Sequence, residues 1–191
     1  MPEDATWIPP SWDQVVRDNA ARAYRLAYRL TGNPHDAEDL TQETFVRVFR
    51  SLDAYRPVSL EAWIHRITVN LFLDSARRRA RLYFDPLGDE AARVPDSRNS
   101  PERQFEIKNF DCDVQQALDA LPPDFRVAVV LSDIEGYSYE EIAVIVGTKV
   151  GTVGSRIYRA RAHLRRALAH RAPAHAPAGR KGTRDLVGSG A

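Results

Sequence analysis

Apolar residues recur along this chain at spacings of three and four, and no run alternates in the manner of a half-buried strand, so an all-α fold is expected. Over 11–30 the stripe is Val16, Ala20, Ala23, Ala27 and Leu30, stopped by Thr31-Gly32. Asn33 suits an N-cap and Pro34 the first helical position, while Asp36 favours the positive helix end. The helix they start runs to about 52 and is expected to bury Phe45, Val48, Phe49 and Leu52. Tyr55-Arg56-Pro57 breaks the chain before a third helix over 59–81. That helix has a core stripe of Leu60, Ile64, Ile67 and Leu71, and beside it a row of Trp63, Arg66, Asn70, Asp74 and Arg77.

The stretch 82–110 is rich in Pro, Gly, Ser and charge without clean periodicity and reads as a flexible linker. A second helical unit follows over 111–170. Helices over 111–121 and 124–135 are separated by Pro122-Pro123. Ser138 and Glu141 then have the spacing of a capping box ahead of Ile142, Val144, Ile145 and Val146. Gly147 ends that short helix. After Thr148-Lys149 a last helix carries Val150, Val153, Ile157, Ala160 and Leu164. The expected organisation is therefore an N-terminal tail (1–11), a first helical domain (12–81), a linker (82–110), a second domain (111–170) and a disordered tail (171–191).

Composition narrows the function. The chain is 43% hydrophobic, enough for packed cores, and its single cysteine, Cys112, excludes an internal disulfide framework. No stretch reaches the roughly 20 apolar residues of a membrane span, and the acidic N-terminus lacks the order of a signal peptide, so a soluble cytoplasmic protein is expected. Net charge is only +1, but its distribution is uneven. Residues 82–148 hold 14 acidic against 5 basic residues, whereas 149–170 hold 6 Lys or Arg and no acid, and 77–81 hold 4 Arg. Basic charge gathered in two short stretches suits phosphate contacts, although solvated helix ends have the same composition.

A short helix, a turn containing Gly and a longer second helix make a helix-turn-helix, whose second helix enters the major groove N-terminus first. Here that helix opens with Gly151, Thr152, Gly154 and Ser155, and small residues let backbone approach a phosphate. Thr152, Ser155, Arg156 and Arg159 lie off the Val153/Ile157 stripe, where Arg can pair bidentately with guanine. Arg161, Arg165 and Arg166 are better placed to position the backbone. In the first unit, Trp63, Arg66, Asn70 and Phe72 interleave aromatic and polar groups as single-stranded DNA recognition does, though Trp63 fits a core equally well.

The segments RLTGNPHDAEDLTQETFVRVFRSLDAYRP, AWIHRITVNLFLDSARRRAR and LPPDFRVAVVLSDIEGYSYEEIAVIVGTKVGTVGSRIYRARAHLRRAL resemble, in order and separation, the two domains of extracytoplasmic-function sigma factors. The resemblance covers about 12–168 and is nearest to actinobacterial envelope-stress members. It implies a transcription initiation factor of stress responses, with no catalytic residue, metal or cofactor, partnered by core RNA polymerase (β′ clamp helices and β flap), promoter DNA and an anti-sigma factor. Onto the clamp-docking helix it maps Asp36, Asp39, Leu40, Gln42, Glu43 and Val46. Onto the −10 specificity loop and melting helix it maps Arg56, Ser59, Trp63, Arg66, Asn70 and Arg77. Onto the −35 reader it maps Lys149, Thr152, Ser155, Arg156, Arg159 and Arg165. Lys149 stands where the family commonly has Pro, Gly154 where a basic residue is common, and Val58 where Gly is frequent.

Two other classes compete. A conventional helix-turn-helix regulator would bind as a dimer, but no sustained heptad seam is present to join two copies. An enzyme would need a nucleophile motif, a Gly-rich phosphate loop or His at ligand spacing, none of which the sequence offers.

Overall fold

The computed structural model describes residues 11–52, 59–83 and 112–171. Arg56 and Val58, nearly all of the 82–110 linker and all but the first residue of the 171–191 tail lie outside the described residues. Helix α1 (Trp12–Thr31) starts where the Ser11 hydroxyl accepts from the Gln14 N–H, and it stops at Gly32. Gly32 has φ 80°, a left-handed conformation open to glycine, and its N–H donates to Tyr28 O at 2.8 Å. Helix α2 (Pro34–Ser51) follows at once, because the Asn33 side chain accepts from the Asp36 N–H at 2.8 Å. Helix α3 (Leu60–Tyr83) is capped by the Ser59 hydroxyl, which accepts from Ala62 N–H at 3.2 Å.

One core of this unit is Val15, Ala23, Phe45, Val48, Leu52 and Ile64, with Trp12 edge-on to Phe45 and Phe49 at 6.0 and 5.0 Å. Phe49 itself is 59% exposed, contrary to its expected burial, because it sits on the rim of α2 beside Trp12.

In the second unit α4 (Cys112–Asp119) leads to α5 (Pro123–Val129), which continues as a single π-turn over Val130–Ile134. There the Glu135 N–H donates to Val130 O at 3.0 Å. The Ser138/Glu141 capping box forms as expected and starts α6 (Tyr139–Val146), and Gly147 at φ 65° ends it. Helix α7 (Val150–Ala167) buries Val153, Ile157 and Ala160. Val144 (67% exposed) and Val150 (41%) face outward instead, so the buried stripes of both helices are narrower than the sequence suggested.

The sequence reading kept the two units apart, whereas a second apolar face of α1 and α3 packs on the other unit. Leu26, Leu30, Val69, Phe72 and Leu73 share a core with Leu118, Leu121, Val127, Val130, Leu131, Ile142 and Ile157. Polar contacts across the same boundary include Arg29 with Glu135, Gln115 Nε2 with Arg29 O, Arg126 with Leu30 O, and Tyr137 with His65. Among the described residues no helix is long and apolar enough to cross a membrane.

Leu131 is fully buried in the shared core. Leu131→Ala is expected to cost ~2–5 kcal/mol in denaturant titration, with probes in both units shifting together. Ser138→Ala should cost about 1 kcal/mol by removing the cap.

Candidate nucleic-acid and partner interfaces

Three outward faces result from this packing. The first is the exposed side of α2, where Asp39, Gln42, Glu43 and Val46 project to solvent at positions three or four apart. Glu43 holds Arg47 at 3.1 Å and Asp39 lies 3.4 Å from His35. Asp36 is half-buried beside the Asn33 cap and within 3.7 Å of Arg79 on α3. Leu40 is half-buried and packs against the shared core, one helical step from the outward row. Between α1 and α2 lies a groove of roughly 1100 Å³ lined by Trp12, Val16, Tyr24, Phe45, Val46 and Phe49 among others. Phe49 is the residue here that sequence reasoning missed. Its spacing of seven from Gln42 and three from Val46 carried the signal.

The second face lies along α3. Arg66, Asn70 and Arg77 are exposed, with Arg77 3.0 Å from Asp74 on the preceding turn. Trp63 is half-buried, packed against the first core and still partly exposed. Ser59 is exposed but its hydroxyl already serves as the α3 cap. The helix thus gathers Arg66 and Asn70 on one face, and Arg56 falls outside the described residues.

The third face is the start of α7. Lys149 is exposed at the N-cap position with no capping side chain, and Thr152 is half-buried one turn in. The Ser155 hydroxyl donates to Thr152 O at 2.8 Å and keeps its lone pairs toward solvent. Arg159 and Arg165 are exposed. Arg156 departs from the expected base-reading row: it is half-buried, and its guanidinium lies 3.2 Å from Asp124 of α5, which fixes the two helices together. Arg161 is held likewise by both carboxylate oxygens of Asp133. Tyr158, 71% exposed and three residues after Ser155, joins the outward face and was not singled out by sequence. It is off the Val153/Ile157/Ala160 stripe, which was the available signal. No acidic residue lies anywhere in α7, so its positive face is uncompensated from within the helix.

The Arg161 bond holds the Asp133 carboxyl below its ordinary value of 3.8. A depressed folded value means that this contribution is complete above about pH 4 and fades as pH falls below it. Both side chains are more than a third exposed, so Asp133→Asn should cost no more than ~0.2–1 kcal/mol. Melting curves of the two proteins should be displaced at pH 6 and converge toward pH 3.

The chain matches the family model described as Sigma-70 region 2 over residues 15–82 and that described as Sigma-70, region 4 over residues 113–164. It is 58% identical over 160 residues to the ECF RNA polymerase sigma factor SigE of Mycolicibacterium smegmatis, covering 84% of this chain and 62% of that relative's length. It is 39% identical over 140 residues to the ECF RNA polymerase sigma factor EcfG of Rhodopseudomonas palustris, covering 73% and 75% of the two chains. Among solved structures it is similar to the sigma factor RpoE of Bartonella quintana, in complex with the anti-sigma factor NepR. That likeness has a TM-score of 0.63, 30% identity, and coverage of 83% of this chain and 96% of the other.

Proposed function

The chain belongs to the ECF RNA polymerase sigma factors, and from that premise we propose that it is a transcription initiation factor that carries core RNA polymerase to promoters of a stress response. Residues 12–81 form the unit that docks on the polymerase and opens the −10 element, residues 111–170 the unit that reads the −35 element, and 82–110 the connection between them. The protein works in the cytoplasm alongside the polymerase, and the reading assigns it no catalytic residue and no cofactor.

The observation that carries this reading is the outward face of α7. It presents Thr152, Ser155, Tyr158 and Arg159 together at the N-terminal half of a helix-turn-helix second helix, with basic residues following and no carboxylate among them. Ser and Thr hydroxyls and an arginine fork suit base edges, and an exposed phenol ring suits a thymine methyl or sugar. Arg165 and Arg166 farther along suit phosphates, and Arg156, engaged by Asp124, sets the angle of the helix. The outward row Asp39, Gln42, Glu43 and Val46 supports docking of the polymerase β′ clamp helices. The exposed Arg66 and Asn70 support contact with the melted −10 strand, with Arg56 and Ser59 at its edge.

Regulation by an anti-sigma protein fits the same surfaces, since the similar Bartonella factor was solved with one. The helix-turn-helix regulator reading finds less support: the apolar surface that would join two copies is used within the chain, between the two units.

In transcription with purified core polymerase, promoter-specific transcripts should appear only when this protein is added. Specific operator binding by the protein alone, with no stimulation of core, would overturn the reading. Arg159→Ala is expected to cost ~1–3 kcal/mol at the −35 element and to relax specificity at one position. Arg165→Ala should weaken binding evenly across sequences and lower the slope of log affinity against log salt by about 1.

A further inference from the structure

The boundary between the two units contains one titratable side chain whose place in the fold the function above does not explain. His65 is 1% exposed, on the face of α3 that the second unit covers. Its Nδ1 is 2.9 Å from the hydroxyl of Tyr137, in the loop between the π-turn and α6, and the two rings meet edge to face at 5.8 Å. Burial raises the Tyr137 phenol to about 12, so the phenol stays protonated and hydrogen-bonds the neutral imidazole at Nδ1. The other ring nitrogen, Nε2, is buried without a hydrogen-bond partner among the described residues.

We infer that His65 and Tyr137 form an acid-sensitive latch that holds the two DNA-facing units in a closed arrangement, and that protonation of His65 releases it. The charged groups around the ring are Glu61 on its own helix, Arg22 and Arg29 on α1, and Glu135 after the π-turn, with Glu141 of α6 acting on the phenol. Burial dominates among them and holds the imidazole below its free value of 6.5, although Glu135 and Glu61 pull the other way. The closed state thus binds fewer protons than an open state in which the ring meets water. Its stability is complete above pH 6.5 and is lost as pH falls below that value. Each pH unit in that range shifts the closed-to-open ratio by up to tenfold, for as long as the closed ring stays neutral.

The consequence for promoters rests on the sigma reading. Elements centred at −10 and −35 are about 25 base pairs apart, or about 85 Å at about 3.4 Å per pair. The longest helices of the two units, 24 and 18 residues, measure about 36 and 27 Å at 1.5 Å per residue and fall short of that distance even end to end. With the units in contact, both elements cannot be engaged at once. The latch therefore keeps the free protein off promoters, and acid shifts the equilibrium toward opening.

The test needs neither DNA nor polymerase, so it stands or fails separately from the sigma reading. The full chain carries Cys112→Ser with donor and acceptor dyes on Ser51→Cys and Ala167→Cys, both exposed positions, and energy transfer is followed from pH 8 to 5.5 beside far-ultraviolet dichroism. Transfer should be constant above pH 7 and change below 6.5 while helicity is unchanged. His65→Gln should hold the closed signal to pH 5.5. Should it already be open at pH 8, His65→Phe, which keeps a planar ring at the site without a titrating nitrogen, carries that expectation. Tyr137→Phe should be more open than the parent at pH 8. Gly32→Ala serves as a wedge, since its Cβ would stand 2.4 Å from the Asp119 carboxylate oxygens across the boundary, and it should read open at every pH. A flat trace for the parent, a His65 variant that tracks it, or a Tyr137→Phe protein as closed as the parent at pH 8 overturns the inference.

Discussion

Arg126 is 9% exposed, and its guanidinium reaches across from α5 to the end of α1. Its donors meet Leu30 O in the last turn of α1, Asp119 O and Leu121 O at the end of α4, and the Asp119 carboxylate at 3.2 Å. The last carbonyls of a helix have no partner inside the helix, and a cation is favoured at that end. A buried charge is tolerated when such acceptors surround it and is costly when they do not. This one side chain therefore ties α1 of the first unit to α4 and α5 of the second. Gly32 makes the approach possible, because any Cβ there would occupy the space of the Asp119 carboxylate.

The outward faces depend on that inward arrangement. Because α1 and α3 bury a second apolar face against α4, α5 and α6, the polar row of α3 and the Ser155/Arg159 side of α7 are left toward solvent. Arg156 and Arg161, which by type belong with the DNA-facing cations, are drawn to Asp124 and Asp133 and brace α7 against α5 and the π-turn. The acidic balance of the middle of the chain thus does two things. It partners the cations that set the recognition helix, and it leaves the remaining cations as a clean positive face.

A boundary that is apolar in bulk with a few polar contacts suits a state meant to be left. Its apolar area gives stability without direction. The contacts of Arg29 with Glu135 and of Tyr137 with His65 fix how the units register and make the arrangement sensitive to the ionisation of a single ring. Opening along this boundary would leave both binding faces intact.

The helices, their caps and their stops were legible in the sequence because they are local. Asn33-Pro34, the Ser138/Glu141 box, and Gly32 and Gly147 at positive φ each act within one turn. The outward residues of α7 were legible for the same reason, since periodicity separates a buried stripe from its opposite face, whereas the Gln42/Glu43 row came from the resemblance to the sigma family. Tertiary structure decided what periodicity cannot express: which of two apolar faces meets which partner. It packed Leu40 against the shared core and left Phe49 and Val144 outside, and it gave Arg156 to Asp124 rather than to the open face. It also placed His65 beside Tyr137, 72 residues away, at a boundary the sequence had left empty. Contacts of that kind join residues whose separation along the chain carries no period, so only the packed molecule contains them.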